Sequence, residues 1–529
     1  MIDCGHNGSA QVSSSPLKAL AMQAGWHFLL RRGSRILRDS ARLVRTSARV
    51  GSTRQMALSA APLCDKLLKR NTHTSVTPDL NRPRPKLASA SQDHNTLKVQ
   101  VRWRDGERDE FPYVWLRDNC QCPDCFLRSA SSRLLRVAGL STDVRPREVQ
   151  VSNDGYFLKV VWENGHESTY VSDWLNERAF NPRQQSIYNN TYRLRPELWD
   201  ADMAQRIPRA SFDELMEDDA ALLKLLECME VLGFTVVSGA RQEEGELQRL
   251  SERASHLVPS NYGTTFIVKD KKDASNVAYT SQGLDLHCDL VCLHYKPCVQ
   301  LLHCISQFEG DGGDSILADS HRVALQMREL YPQKFRFLTD VLVNFRDVAT
   351  DEGFEFDIIA RRPMISVRAD GEIKTVNMST FGRDSHFGVS PNDAIRWYDA
   401  YVTFCELLYR PENHFTFKLE AGEILIMDNL RILHGRTAYE DTVEGVRRLE
   451  GGFWDWDMMR SRRRGLQRKL GGCSEISERA PMVILAMPER GWKCRVMAKS
   501  QGTCNRTLKR TANRYLRSFD ISGLEVILQ

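Results

Sequence analysis

The chain has 529 residues, 42% of them apolar, and a formal charge of +5 spread through a 27% charged composition. That length exceeds what one hydrophobic core organises and predicts two folded domains with flanking segments. The dilute charge excludes the concentrated basic stripe of a nucleic-acid binder, and no run of about eighteen apolar residues is present to span a membrane.

In chain order, residues 1–95 are rich in Ser, Ala and Arg. Arg31, Arg32, Arg35, Arg38, Arg42 and Arg45 interleave with Leu29, Leu30, Ile36, Leu37 and Leu43. This is a basic amphipathic pattern of the kind mitochondrial import uses, so a mitochondrial leader is expected; a plain basic tail on a cytoplasmic protein is the alternative. Pro78, Pro83 and Pro85 read as a linker.

A small β-rich unit is expected over residues 96–185. Leu97, Val99, Val101 and Trp103 alternate with polar residues as a half-buried strand does, and Asn164-Gly165 joins the strand-like runs 157–162 and 166–171 as a hairpin. Over 200–465, Ser211 and Glu214 form a capping box. Leu215, Leu222, Leu225, Leu226, Met229 and Leu232 then make one apolar helix face, closed by Gly233 before a strand at 234–237. Strand-like runs at 299–302, 315–317, 341–344 and 423–427, with helices near 320–340 and 390–410, predict a mostly β fold with flanking helices: a barrel or double-sheet jelly roll. Residues 466–529 form a basic tail without periodicity, and no role is read from it.

Fourteen cysteines in so large a chain, their tightest cluster at metal-ligand spacing, point to a reducing compartment. Cys120, Cys122 and Cys125 in FPYVWLRDNCQCPDCF present three thiolates to one tetrahedral ion. His166, whose hairpin folds back across the knuckle, is the best fourth ligand. Four protein ligands leave no place for water, which makes such a zinc structural.

In LDLHCDLVCLHY, His287 and Asp289 are two residues apart, so a strand would point both to one face. Alone this pattern is common by chance. His434, in IMDNLRILHGRTAYE, follows an apolar strand that a barrel could bring beside the pair. Two imidazoles and a carboxylate on one face of Fe(II) leave three positions for a bidentate 2-oxo acid and dioxygen, while zinc hydrolysis with the same ligands remains open. A 2-oxo acid also needs a cation for its far carboxylate. Arg447 and Arg448 in VRRLEGGFWDWD both offer one, and spacing does not choose between them. Ser315 after Gly312-Gly313-Asp314 could donate its hydroxyl to the same molecule, or serve turn chemistry.

Taken together, FPYVWLRDNCQCPDCF, SNVAYT, VQLLHC, GGDS, DNLRILHGR and RRLEGGFWDWD resemble the gamma-butyrobetaine and trimethyllysine dioxygenase family over residues 97–465. The resemblance implies a zinc domain, a double-stranded β-helix catalytic domain and a homodimer. It assigns zinc to Cys120, Cys122, Cys125 and His166, and iron to His287, Asp289 and His434. It selects Arg447 for 2-oxoglutarate, with Ser315 and Leu302 alongside, and ascorbate as reductant. Its trimethylammonium pocket corresponds to Tyr262, Phe266, Tyr279 and Phe453, with Asn276 near the substrate carboxylate. Phe266 and Phe453 stand where the family carries a tryptophan and a tyrosine. The implied reaction is hydroxylation of a quaternary ammonium acid, gamma-butyrobetaine to L-carnitine, with trimethyllysine as the alternative substrate. A non-catalytic zinc and barrel interaction protein is the reading from another class, and the complete triad argues against it.

Overall fold

The computed structural model describes residues 84–271, 274, 276–351, 353–439 and 447–471. The leader, apart from its last residues, and the tail beyond residue 471 lie outside them. No helix among the described residues is long and apolar enough to cross a membrane.

Strands β1 (Leu87–Asp93), β2 (Lys98–Trp103) and β3 (Arg108–Pro112) form an antiparallel meander. β1 falls inside the expected linker. Its sequence LASASQD has no apolar alternation, and it is a strand because β2 offers an edge to pair with. A short ladder joins β4 (Phe126–Leu127) to β5 (Ser132–Arg133). Next come β6 (Pro146–Val151), β7 (Phe157–Trp162) and β8 (Glu167–Val171), with Gly165 at φ 82° in the β7–β8 turn. The two three-stranded sheets share one core, with Val99, Val101, Trp103 and Phe111 packed with Leu158, Val160, Trp162 and Tyr170. The two buried indoles each keep a hydrogen bond, Trp103 to Asp109 at 2.7 Å and Trp162 to Ser168 at 2.8 Å.

The larger region is built from β9 (Arg209–Ser211), β10 (Phe234–Ser238), β11 (Thr265–Val268), β12 (Leu284–His287), β13 (Val299–Ser306), β14 (Ser315–Asp319), β15 (Leu342–Asp351), β16 (Phe354–Pro363), β17 (Ile365–Val367), β18 (Ile373–Val376), β19 (His414–Phe417), β20 (Glu423–Asp428), β21 (Ile432–Arg436) and β22 (Arg448–Trp454). A six-stranded sheet runs β11-β22-β13-β20-β10-β9 and a four-stranded one β12-β21-β14-β19. Only β9–β10 in these two sheets is parallel. Phe234, Val236, Cys304, Leu425 and Met427 of the first pack with Leu317, Phe415 and Ile432 of the second, so the sheets face each other across a common core. β20 is buried on both faces, which is why its centre reads as the apolar run Ile424–Met427; β21 is equally buried although it carries His434 and Arg436.

Three sequence expectations change. The helix expected from Ser211 through Leu232 is two, Phe212–Glu217 and Asp219–Leu232. Asp218 stays extended between them and its carboxylate accepts the amides of Ala220 and Ala221, an N-cap that competes with continuing the first helix. The run expected at 341–344 is a long hairpin, β15 with β16. The expected boundary at 465 falls inside a helix, Trp456–Leu470, whose Trp456, Met459, Arg463 and Leu466 are buried; Arg463 is there because Glu230 pairs with it at 2.7 Å.

Candidate active site

β12 and β21 are antiparallel neighbours, and their register sets His287 directly opposite His434. Asp289 does not share a strand face with His287, as alternation suggested. β12 ends at His287, and a turn with Leu290 in left-handed backbone (φ 51°) brings the carboxylate round. The Asn429 side chain holds that turn, accepting from the Asp289 amide at 2.8 Å and donating to the Asp289 carbonyl at 3.0 Å. Asp289 Oδ1 then lies 3.1 Å from His287 Nε2 and 3.8 Å from His434 Nε2. His287 Nδ1 faces the Asp285 carbonyl at 2.7 Å, which accepts only, so Nδ1 donates there and Nε2 is the nitrogen turned inward to Asp289 and His434.

Burial opposes the Asp289 charge, but His287, the neighbouring His434 and the Gln300 amide outweigh it and hold the carboxyl at about 2. Burial, reinforced by His287, pushes His434 down to about 3, which leaves it neutral. A carboxylate and two imidazoles converging on one point could hold a divalent ion, and all three atoms lie within 4.8 Å of one another.

The two arginines that spacing could not separate differ in surroundings. Arg448 is 41% exposed and pairs with Glu244 at the surface. Arg447 is buried over the Tyr439 ring and has no carboxylate partner among the described residues; its Nε lacks any hydrogen bond. Burial lowers its pKa. A buried unpaired guanidinium is costly unless an anion arrives, so its surroundings fit the far carboxylate of a 2-oxo diacid. Gly313 lies against Arg447, and Gly312 (φ 95°) has no room for a Cβ, which would sit 2.1 Å from the Ala438 carbonyl oxygen. Ser315 opens β14 opposite Arg436, and Leu302 lies half-buried in β13 opposite Leu425 and Gly451.

The four expected ring residues form a connected cluster. Tyr262 lies 6.1 Å from Phe266 and 6.4 Å from Tyr279, and Phe266 lies 5.6 Å from Phe453, between ring centroids. Asn276 donates to the Tyr262 hydroxyl at 3.4 Å. Phe453 is the cross-strand partner of Gln300, whose amide donates to Asp289 Oδ2, so the ring cluster and the triad are joined through one pair of side chains.

Residues 191–452 match the family model described as taurine catabolism dioxygenase TauD, TfdA family, and residues 90–176 match gamma-butyrobetaine hydroxylase-like, N-terminal. The chain is 33% identical over 373 residues to gamma-butyrobetaine dioxygenase from Homo sapiens, which covers 70% of this chain and 95% of that protein. The chain belongs to the gamma-butyrobetaine dioxygenase family. The bacterial gamma-butyrobetaine dioxygenase of Pseudomonas sp. (strain AK-1) is also 33% identical, over 70% of this chain and 94% of its own length. The mitochondrial trimethyllysine dioxygenase of Bos taurus is 28% identical over 64% of this chain and 79% of its own length. This member of the gamma-butyrobetaine dioxygenase family is therefore a dioxygenase.

In the smaller unit of this family member, His166 Nε2 lies 3.3, 3.7 and 3.6 Å from the sulfurs of Cys120, Cys122 and Cys125. A tetrahedral zinc with Zn–S near 2.3 Å and Zn–N near 2.1 Å has S···N edges of about 3.6 Å, so the four residues fit that ion. Arg117 donates to Cys125 Sγ at 3.3 Å and offsets part of the thiolate charge. Four functional residues escaped sequence reading. Gln300 and Asn429 position Asp289. Arg436 donates to the carbonyls of Ala278, Thr280 and Gln282 and so fixes the turn bearing Tyr279. Phe356, on β16, adds a ring 5.6 Å from Tyr262. The HGR motif alone exposed Arg436; the others look like ordinary strand or turn residues until the sheets are assembled.

Proposed function

We propose that this chain hydroxylates gamma-butyrobetaine to L-carnitine, using Fe(II), 2-oxoglutarate and dioxygen, and so serves carnitine biosynthesis. His287, Asp289 and His434 would hold the iron, and Arg447 the far carboxylate of 2-oxoglutarate, with Ser315 and Leu302 beside it. Bound iron supplies the oxidising chemistry, in which one atom of dioxygen enters a substrate C–H bond while 2-oxoglutarate becomes succinate and carbon dioxide. The chain's own contribution is position. Tyr262, Phe266, Tyr279 and Phe453 offer ring faces to a trimethylammonium group that has no hydrogen to donate, and Asn276 offers its amide to the substrate carboxylate.

The observation that carries this reading is the Asp289–Gln300–Phe453 connection. It joins the ring cluster to His287, Asp289 and His434, which supports a cation pocket next to a metal. The domains follow as a zinc module that starts with β1 and ends near 185, with zinc on Cys120, Cys122, Cys125 and His166, and a double-stranded β-helix that starts near 200 and runs through the helix Trp456–Leu470. A homodimer, ascorbate as reductant and a mitochondrial address complete the proposal. The test is succinate formation from 2-oxoglutarate under air, with ferrous iron and either gamma-butyrobetaine or trimethyllysine. Turnover of trimethyllysine alone would move the assignment to the second substrate, and succinate with neither would overturn both.

A further inference from the structure

Hairpin β15–β16 carries the inference. Its inner face presents Val343, Phe345, Asp347, Ala349 and Asp351 from β15, and Phe356 stands opposite Ala349 on β16. Phe356 reaches the ring cluster at Tyr262, and Asp347 accepts the Tyr262 hydroxyl at 3.0 Å. The hairpin thus lends the cluster a wall that contains two carboxylates.

These two differ in their compensation. Asp351 pairs with Lys271 at 3.2 Å, and the same ammonium stands 4.2 Å from the centre of the Tyr279 ring. Among the described residues Asp347 has no cation within ion-pair distance. Arg346 beside it turns to the other face of the hairpin and pairs with Asp357 at 2.6 Å, while Arg362 directs its Nη2 to the Leu293 and His294 carbonyls rather than to Asp347. Burial pushes the Asp347 carboxyl upward, opposed by hydrogen bonds from the Tyr262 hydroxyl and the Asn261 side chain, both of them neutral groups. A half-buried carboxylate whose hydrogen bonds come from the neutral Tyr262 and Asn261 side chains, at the rim of a ring cluster that already attracts one ammonium, has no counter-ion among the described residues.

We infer that Asp347 is a specificity residue, the counter-charge for the substrate's cationic head. The inference rests on the proposed function for the identity of the substrate, though not for the sign of its charge. Ring faces reward a cation modestly, whereas a nearby carboxylate adds a full opposite charge that attracts a cationic head and gives a neutral one nothing. Asp347 therefore separates a quaternary ammonium acid from a neutral acid of the same shape.

The experiment uses the full chain loaded with ferrous iron and 2-oxoglutarate. The ratio of kcat/KM for gamma-butyrobetaine to that for 5,5-dimethylhexanoate, its neutral isostere, is measured in the unaltered protein, Asp347→Asn and Tyr262→Phe. Calorimetric binding of tetramethylammonium without turnover is measured alongside. Asp347→Asn keeps an oxygen to accept the Tyr262 hydroxyl and removes the charge; it is expected to lower the ratio, and the affinity for tetramethylammonium, by about tenfold or more through KM. Tyr262→Phe leaves the charge in place and is expected to retain the cation preference. Undiminished preference in Asp347→Asn, or a loss in Tyr262→Phe equal to that in Asp347→Asn, overturns the inference, the latter because Asp347 would then act only by holding the ring. Failure of the unaltered protein to oxidise gamma-butyrobetaine, with Asp347-dependent tetramethylammonium binding intact, overturns the substrate assignment alone.

Discussion

At the scale of single residues, the triad derives its geometry from neighbours that carry no chemistry of their own. Gln300 donates to the Asp289 oxygen remote from the imidazoles, and Asn429 clamps the Asp289 backbone. Loss of such a support typically costs about 10–100-fold in metal affinity or activity. Gln300→Ala is therefore expected to lower iron affinity within that range, measured by ferrous titration, whereas Asp289→Ala should abolish succinate formation because it removes the single anionic ligand. The two arginines make a paired prediction. Arg447→Ala should raise the KM for 2-oxoglutarate by an amount equivalent to about 2–5 kcal/mol, since it strands a buried anion. Arg448→Ala removes an exposed ion pair with Glu244 and should change that KM by less than about 1 kcal/mol. Steady-state kinetics on both variants decides; a larger defect in Arg448→Ala would reverse the assignment. Cys120, Cys122, Cys125, His166, His287 and Asp289 could be read from residue type and spacing, because metal ligation constrains both. Gln300 could not, because in VQLLHC it looks like the polar position of any strand.

At the scale of elements, two short pieces hold the sites. The Cys120–Cys125 knuckle meets the β7–β8 hairpin at His166, so its metal would tie a loop to a sheet that the small core only partly secures. Cys122→Ser should lower bound zinc and thermal stability together; full zinc content by elemental analysis would refute the knuckle as the site. β22 contributes Gly451, against which the Phe266 ring lies flat. A Cβ there would sit 2.3 Å from ring carbons, so any side chain displaces the ring. Gly451→Ala should raise the KM for gamma-butyrobetaine by about tenfold, the order of one cation–aromatic contact, and leave the KM for 2-oxoglutarate unchanged. An unaltered substrate KM would mean that Phe266 does not form part of the cation pocket.

At the scale of the whole molecule, the two candidate metal clusters lie on different sheets. The triad gathers at the β12–β21 pair of the larger region, and the cysteine cluster meets the β7–β8 hairpin of the smaller one at His166. Three protein ligands with open positions release a metal more readily than four with none. Mild chelation should accordingly strip iron and activity first, with zinc content and near-ultraviolet circular dichroism unchanged, and ferrous salt should restore turnover. Concurrent loss of both metals and of tertiary structure would show that the sites are not independent.

The amino-acid sequence by itself singled out the candidate ligand sets and determined the β-rich character of both regions, the β7–β8 hairpin and the strand ends marked by Gly233 and Gly165, because these depend on local spacing, alternation and backbone preference. Tertiary structure decided the rest. β1 exists because β2 supplies an edge for a run with no apolar pattern, and Asp218 splits a helix because an extended cap there feeds the second one. Asp289 reaches the triad through a turn held by Asn429, which is 140 residues away. Arg447, in the bend just before β22, and Arg448, its first residue, are neighbours in the chain, yet among the described residues one is buried without a carboxylate and the other lies at the surface beside one. Asp347 acquired its place in the same manner: only pairing of β15 with β16 and docking of that hairpin on Tyr262 bring a surface-looking aspartate to the ring cluster, a juxtaposition set by long-range packing.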